Sequence, residues 1–269
     1  MIRSLWTAAS GMISQQTNVD VIANNISNIN TSGFKRETPQ FKTLLYQTIQ
    51  EDPTNNTGAN PLGIQVGLGV RNSAIRSEYT QGVLSETGNT FDFAIEGNGF
   101  FMVELPNGET AYTRNGSFRI AAGYEANMLV NSEGYPILDM NGSRIVFNQD
   151  IDINKISIDE GGNFIYNYDD INYQILHTLG LAQFNNPAGL SKMSGSLLTQ
   201  TPGSGNPRIE AYDNNLNTSK VRSGYLEGSN VDAANEMVDL IVAQRAYEMN
   251  SKAIQASDEM LQLANNLRR

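Results

Sequence analysis

The sequence predicts an α+β protein with paired, coiled-coil-like N- and C-terminal α-helices and an inserted all-β domain of short antiparallel strands. Three observations support this prediction. Residues 229–269 contain neither glycine nor proline, although the 269-residue chain has 24 Gly and 8 Pro. Residues 2–26 repeat apolar side chains at helical spacing. Between residues 51 and 225 lie 21 of the 24 glycines, among short apolar runs that are separated by turn residues.

The C-terminal stretch predicts one helix of about 35 residues, or about 50 Å at 1.5 Å per residue. Ser229 and Asp232 resemble a capping box, and Asp232 and Glu236 lie near the positive end of the helix dipole. A first apolar stripe with heptad spacing consists of Leu240, Tyr247, Ile254 and Leu261. A second stripe, on nearly the opposite side, consists of Val242, Met249, Ala253, Ala256, Met260, Leu263 and Leu267. Because both sides need neighbours, we expect burial in an assembly of helices; the alternative is a helix wrapped by its own domain.

The N-terminal helix has a single apolar face, which consists of Leu5, Ala9, Met12, Gln16, Val19, Ala23 and Ile26. We expect Ile2, Trp6 and Ile13 to widen this face. Ser4 is expected to cap the start of the helix, and Gly33 to close its end. The simplest arrangement is an antiparallel pair of this face with one stripe of the C-terminal helix, which leaves the other stripe for other subunits. The expected assembly interface is Leu5, Ala9, Met12, Val19, Ala23, Ile26, Leu240, Tyr247, Ile254, Leu261, Met249, Met260 and Leu263.

The composition along the chain predicts three parts. Residues 1–33 and 229–269 form a discontinuous helical assembly domain, residues 34–70 an extended linker or insertion, and residues 71–228 an all-β domain. Asn107-Gly108 and Asn141-Gly142 predict hairpins with two-residue turns.

The insertion ends in a period-two pattern. Its glycine and proline content is typical of a flexible loop, which is the alternative interpretation. However, its apolar residues alternate with glycine or glutamine, and they are Leu62, Ile64, Val66 and Leu68. Since glycine lets another backbone approach closely, we expect an extended segment that docks along a neighbouring subunit.

The composition argues against several classes of function. The chain has no cysteine and only one histidine, His177, which excludes thiolate metal sites and multi-histidine clusters. Its net charge is −10 without a basic patch, which argues against nucleic-acid binding. No apolar run approaches the roughly 20 residues that span a bilayer. The N-terminal residues lack the continuous apolar stretch of a signal peptide, so we expect no cleaved leader.

Motifs for catalysis and cofactor binding are incomplete. Residues 97–99 begin a dinucleotide-binding fingerprint, but Met102 stands where a glycine is required. Residues 213–217 have calcium-loop spacing, yet Thr218 replaces the turn glycine and Gly224 the bidentate glutamate. We therefore expect no catalytic, cofactor or metal site and no enzymatic activity. The alternative is a monomeric β-domain binding module or hydrolase whose helices only brace the fold.

Three stretches resemble the axial proteins of the bacterial flagellum, the rod and hook family. They are LWTAASGMISQQTNVDVIANNISNINTSGFKR at residues 5–36, FAIEGNGFFMVELPNGETAYTRNGSF at 93–118 and SNVDAANEMVDLIVAQRAYEMNSKAIQASDEML at 229–261. The length and the start MIRSLWTAASGM are most similar to the distal-rod members, and residues 47–71 resemble the insertion that makes their rod straight and stiff. The sequence departs from the family at residues 121–130 and 167–178.

The resemblance implies a structural subunit that polymerises through its terminal helices into a straight drive shaft and transmits torque to the hook. The implied partners are copies of the chain itself, other rod proteins, the hook protein and surrounding ring proteins, without nucleic acid or a membrane span. The implied location is the flagellar basal body, after export through the type III apparatus without a cleaved signal peptide. We expect the terminal helices to be largely disordered before assembly. Another axial protein, of the proximal-rod or short hook type, is the alternative within the family.

Overall fold

The structure, a computed structural model, describes residues 2–50, 64–123, 126–148, 151–152, 155–167, 173–213 and 215–266. Packing divides the chain into two compact units. The helical unit comprises Met1–Ser27, Glu37–Ser77 and Asp232–Arg269, and the β unit comprises Asn28–Arg36 and Glu78–Val231. The predicted α+β class, with helices at both ends of the chain and short antiparallel strands between them, is confirmed.

The elements of the helical unit are α1 (Ile2–Ser27), β1 (Glu37–Thr43), β2 (Tyr46–Gln50), β3 (Ile64–Gly67), β4 (Val70–Ser77) and α2 (Ala233–Asn266). Antiparallel pairs join β1 to β4 and β2 to β3. The β1–β4 ribbon contacts α1. The Asn72 side-chain amide donates a 2.6 Å hydrogen bond to the Thr17 hydroxyl. The backbone N–H of Val70 donates to the Ser10 hydroxyl at 3.3 Å. Strands β1 to β3 of the expected insertion therefore belong to the helical unit, and so does β4, most of which was assigned to the β domain.

Asp232 sets the start of α2. Its carboxylate accepts the backbone N–H of Ala234 at 2.9 Å, which is an N-cap hydrogen bond. The expected role of Ser229 in a capping box is wrong, because its hydroxyl accepts the N–H of Val231 at 3.3 Å, before the helix begins. Within the described residues, neither helix is long and apolar enough to cross a membrane.

The β unit contains short strands throughout. They are β5 (Leu84–Glu86), β6 (Phe93–Glu96), β7 (Phe100–Glu104), β8 (Thr110–Thr113), β9 (Arg119–Ala122), β10 (Ala126–Val130), β11 (Val146–Asn148), β12 (Ile156–Ile158), β13 (Asn163–Asn167), β14 (Tyr173–Thr178), β15 (Leu181–Gln183), β16 (Ser191–Lys192), β17 (Leu197–Thr199), β18 (Arg208–Ile209), β19 (Lys220–Ser223) and β20 (Tyr225–Glu227). Pro187–Gly189 and Ser194–Ser196 form 3-10 turns.

The strands of the β unit form small antiparallel sheets. The largest has the order β16-β17-β8-β7-β15-β18, and two three-stranded sheets have the orders β11-β10-β9 and β12-β13-β14. Strand β19 pairs with β6, and β20 pairs with β5. The main core is rich in aromatic rings, and its fully buried large side chains include Phe93, Phe101, Phe118, Phe147 and Phe164. Their edge-to-face contacts order the rings beyond simple burial.

The two Asn-Gly hairpins have longer turns than predicted. Leu105 donates its N–H to the carbonyl of Glu109, and Gly108 donates its N–H to the carbonyl of Leu105, both at 2.9 Å. The loop therefore has three residues, 106–108, and ends in Gly108 at φ +81°. Residues 140–142 form the same kind of three-residue loop, between Asp139 and Ser143, and it ends in Gly142 at φ +77°. A left-handed glycine after a type I turn matches the twist of the strands as well as a two-residue turn does.

Candidate assembly interface

The two helices of the helical unit pair in an antiparallel register through small and polar side chains. The Ser4 and Ser257 hydroxyls form a 3.1 Å hydrogen bond. A Cβ atom on Gly11 would lie 2.9 Å from Nδ2 of Asn250, so the two backbones approach closely there. Further along, Asn25 donates a buried hydrogen bond of 3.1 Å to Glu236. Each step forward along α1 is matched by an equal step backward along α2, which defines the register of the pair.

This seam was missed in the sequence because its residues are not apolar. On α2 it contains Glu236, Ala243, Asn250 and Ser257, which repeat at heptad spacing between members of the first stripe. Glu236, Ala243 and Ser257 are the buried residues of α2. Ser4 was expected to cap α1, but the helix begins at Ile2, so Ser4 lies inside its first turn and bonds to α2 instead.

The first stripe lies beside this seam. Leu240, Ile254 and Leu261 are half-buried, whereas Tyr247 is 43% exposed. Tyr247 and Val19 line a cleft of about 430 Å³ between the helices. On α1, the half-buried members of the expected interface are Leu5, Ala9, Met12, Val19 and Ile26, and Ala23 is exposed.

Two apolar side chains of α1 do not lie where they were expected. Trp6 is 71% exposed and Ile13 is 65% exposed, so they do not widen the face that packs within the chain. Among the α1 side chains that the structure describes, which do not include Ile2, the buried apolar ones are instead Ala8, Val21 and Ile22. Small residues bring the helices too close together for an indole ring at the seam, and Trp6 remains on the outside.

The second stripe of α2 is exposed over its whole described length. Exposed fractions are 61% for Val242, 64% for Met249, 49% for Met260 and 63% for Leu263. Ala253 and Ala256 are exposed too, and Leu267 lies outside the described residues. Three further exposed apolar residues, which the heptad analysis did not single out, extend this surface: Met237, Val238 and Ile241.

The extended segment pairs within its own chain. Leu62 lies outside the described residues, and Ile64 begins β3, which pairs with β2. Val66 is half-buried and Leu68 is 37% exposed. Gly69, at φ +115°, lies so close to α1 that a Cβ atom would meet the Ser10 hydroxyl. Gly69 thus serves a close contact inside the helical unit.

The β unit contains a buried ionic cluster that the sequence did not reveal. Glu227 is 1% exposed, and its carboxylate accepts hydrogen bonds from Lys35 at 2.6 Å, Arg114 at 3.3 Å and the backbone N–H of Gly82 at 3.0 Å. Lys35 also donates to the carbonyl of Thr80 at 2.8 Å. Because Lys35, Arg114 and Glu227 are far apart in sequence, the cluster fastens three segments of the β unit together.

Burial controls the ionisation of the two cations of this cluster. It lowers the pKa of Lys35, while the nearby Glu227 carboxylate acts in the opposite direction. Burial also lowers the pKa of Arg114, and the Glu227 carboxylate again acts in the opposite direction. Arg114 donates to the carbonyl of Gly97 at 2.7 Å and lies over the ring of Phe100 at 5.0 Å. A buried positive charge is tolerated only when it has partners, and Glu227 supplies the negative charge for both cations.

Asn230 fixes the end of the β unit. Its side-chain oxygen accepts the backbone N–H of Arg36 at 2.7 Å, and its amide donates to the carbonyl of Glu78 at 2.8 Å. Residues 28–36, which the sequence assigned to the first helix and the linker, thus belong to the β unit by their contacts. Gly33 does not close α1, which ends at Ser27; its N–H donates to the carbonyl of Glu227 at 2.8 Å.

The residues considered for chemistry have structural partners. Asp213 accepts hydrogen bonds from Arg208 and from the N–H of Asn215, so its carboxylate stabilises a turn. His177 contacts the carbonyl of Val146 at 2.9 Å. In the described parts of the chain, no group of three or more acidic or histidine residues is placed to hold a metal ion.

The chain matches three descriptions of flagellar proteins. They are "Flagella basal body rod protein" over residues 5–35, "Flagellar hook protein FlgE/F/G D1 domain" over residues 94–166, and "Flagellar basal body rod FlgEFG protein C-terminal" over residues 222–267. The first and last of these include most of α1 and all of α2.

Whole-length relatives show the same similarity. The flagellar basal-body rod protein FlgG of Borreliella burgdorferi is 46% identical, and the alignment covers 100% of both chains. FlgG of Agrobacterium fabrum is 44% identical with 98% of each chain covered. FlgG of Bacillus subtilis is 37% identical with 100% of each chain covered.

Proposed function

Because the chain belongs to the family of flagellar basal-body rod proteins and is a structural axial subunit of the distal rod, we propose that it polymerises through its terminal helices into the straight shaft that transmits torque to the hook. Its location is the basal body. Its partners are copies of itself, the other rod proteins, the hook protein and the surrounding ring proteins. The function requires no catalytic step, since packing alone carries the load.

The exposed second stripe of α2 is the observation that carries this proposal. Fully burying one large apolar side chain stabilises an assembly by about 1.5–3 kcal/mol. The stripe offers several such side chains in one row, among them Val242, Met249 and Leu263. Large contiguous apolar surfaces of this kind mark protein interfaces.

A second exposed apolar surface favours a growing polymer over a closed dimer. Leu45, which precedes β2, is 81% exposed, and Tyr46 of β2 is 60% exposed. On α1, Trp6 is exposed as well. When different surfaces of one subunit contact each other in neighbouring copies, the interface is heterologous and extends into a filament.

The rod-specific segment, defined as Leu62, Ile64, Val66 and Leu68, is proposed to dock along a neighbouring subunit and to keep the polymer straight. We expect deletion of residues 51–63 to leave a polymer that is curved or flexible. Electron microscopy decides this point, since straight rods of full stiffness from the deletion variant would contradict it. A variant with a Gly-Ser linker of equal length at residues 51–63 serves as the matched control for chain length.

Limited proteolysis of the full chain tests the function itself. We expect α1 and α2 to be cleaved faster in the monomer than in the polymer, because the exposed second stripe of α2 gains neighbours only on polymerisation. The β unit should resist cleavage in both states. A monomer whose terminal helices resist protease, and which forms no polymer, would instead support a monomeric binding module.

A further inference from the structure

We propose that a cavity in the β unit binds a neutral carbohydrate. The cavity has a volume of about 760 Å³ and lies between the start of β8, the end of β17 and residues 200–207. This volume falls within the range of small-molecule sites, roughly 300–1,000 Å³. The inference does not depend on polymerisation.

The lining of the cavity matches a polyhydroxylated ligand. It offers hydroxyl, amide and carboxylate groups from Thr110, Thr199, Gln200, Asn206 and Glu109. No Lys, Arg or His stands among the described lining residues, so a phosphate or a carboxylate ligand would meet no opposite charge. Pro202 and Pro207 add apolar surface, which suits the C–H face of a sugar ring.

Tyr112 provides a second, independent observation. Its side chain lines the cavity but is only 3% exposed, and its ring packs edge-on against Phe184 at 4.8 Å. Burial raises the pKa of Tyr112 to about 12, so its hydroxyl stays protonated and can donate a hydrogen bond. No hydrogen bond joins this hydroxyl to another described residue. The hydroxyl is not among the enclosed polar atoms that lack a partner, so it is open to the cavity, where a ligand can accept its hydrogen bond.

The wall formed by residues 199–207 is held in place before any ligand arrives. Thr201 donates its hydroxyl hydrogen to the carbonyl of Gly189, and its N–H donates to the Ser204 hydroxyl at 3.1 Å. Gln200 donates to Asn206 at 3.0 Å. Because these contacts are already made, binding requires little ordering of the wall, which favours a preformed site.

The test is saturation-transfer NMR on the full chain with two neutral disaccharides, cellobiose and N,N′-diacetylchitobiose. We expect saturable millimolar binding of at least one of them. Tyr112→Phe should weaken it about fivefold, as for one lost neutral hydrogen bond. Thr110→Trp, which fills the cavity, should abolish it. Tyr212→Phe is the matched control, since Tyr212 is 64% exposed and bonds to Asn141 outside the cavity.

Saturable binding that Tyr112→Phe and Thr110→Trp both weaken, with melting temperatures unchanged, supports the proposal. Absence of saturable binding by either disaccharide at tens of millimolar overturns it. Binding that both cavity variants retain at full strength overturns it as well, because the sugar would then sit elsewhere.

Discussion

Asn25, near the end of α1, donates a buried hydrogen bond of 3.1 Å to the Glu236 carboxylate in the first turn of α2. The same Asn25 amide also donates to the backbone carbonyl of Glu37 at 2.9 Å, and its oxygen accepts the N–H of Glu37 at 2.9 Å. One side chain therefore joins both helices and the first strand of the helical unit.

We expect Asn25→Ala to destabilise the helical unit by about 2–4 kcal/mol, because it leaves Glu236 and a backbone pair without this partner. Asn24→Ala is the matched control, since exposed Asn24 makes a longer contact of 3.5 Å to Glu37. Circular dichroism at 222 nm during urea unfolding measures both variants. Equal losses of helix stability in the two variants would show that the buried amide has no special role.

We expect the free energy of unfolding of the β unit to depend strongly on the Glu227 carboxylate. Replacing it with glutamine leaves Lys35 and Arg114 buried without the carboxylate that bonds them both, which costs about 3–5 kcal/mol. Glu96→Gln is the control, because the Glu96–Arg222 pair is about half exposed and is worth at most about 1 kcal/mol. Denaturant unfolding, followed by the near-UV signal of the β unit, distinguishes the two. A Glu227→Gln variant as stable as Glu96→Gln would contradict this role.

Lys35 gives the cluster a defined pH dependence. Burial lowers its pKa in the folded state, so between that pKa and 10.5 the unfolded chain binds more protons and the free energy of unfolding rises with pH. The stability of the wild type relative to Lys35→Met should therefore increase as the pH approaches 10.5. Exposed Lys220, whose pKa is raised by its hydrogen bond to Glu160, should show the opposite, weaker trend in the same comparison. A difference that stays constant with pH for Lys35 would refute the assignment.

The ionic cluster also affects which fragment of the chain folds as a stable β unit. A fragment of residues 71–225 lacks both Lys35 and Glu227 and leaves Arg114 buried without its acid. We expect a fragment of residues 28–231 to melt cooperatively at a higher temperature than the 71–225 fragment. Differential scanning calorimetry of the two fragments checks this, and identical melting temperatures would argue that the cluster does not stabilise the unit.

The sequence predicted the features that depend on local patterns. The glycine-free C-terminal stretch and the heptad spacing of Leu240 and Ile254 indicated a long helix with a partner, and the Asn-Gly pairs indicated hairpins. The helix register was not predictable, because it rests on Gly11, Ser257 and other residues that carry no apolar signal. The Glu227 cluster escaped notice for a different reason, since its members meet only after the chain has folded.

The two stripes of α2 separate folding from assembly. Ile254 is half-buried beside α1, so Ile254→Asp should disrupt helix pairing and assembly together while the β unit stays folded. Met249 is 64% exposed in the single chain, so Met249→Asp should leave the monomer intact. Any defect of Met249→Asp would then arise from contacts between subunits.

Polymerisation of Met249→Asp, measured by sedimentation and electron microscopy, tests the central claim most directly. Gln255→Asp is the matched control, because it places the same charge at an exposed polar position of α2. We expect Met249→Asp to stay monomeric with unchanged helix content, and Gln255→Asp to form rods like the wild type. Rods of normal length and yield from Met249→Asp would contradict the claim that the second stripe is the interface between subunits.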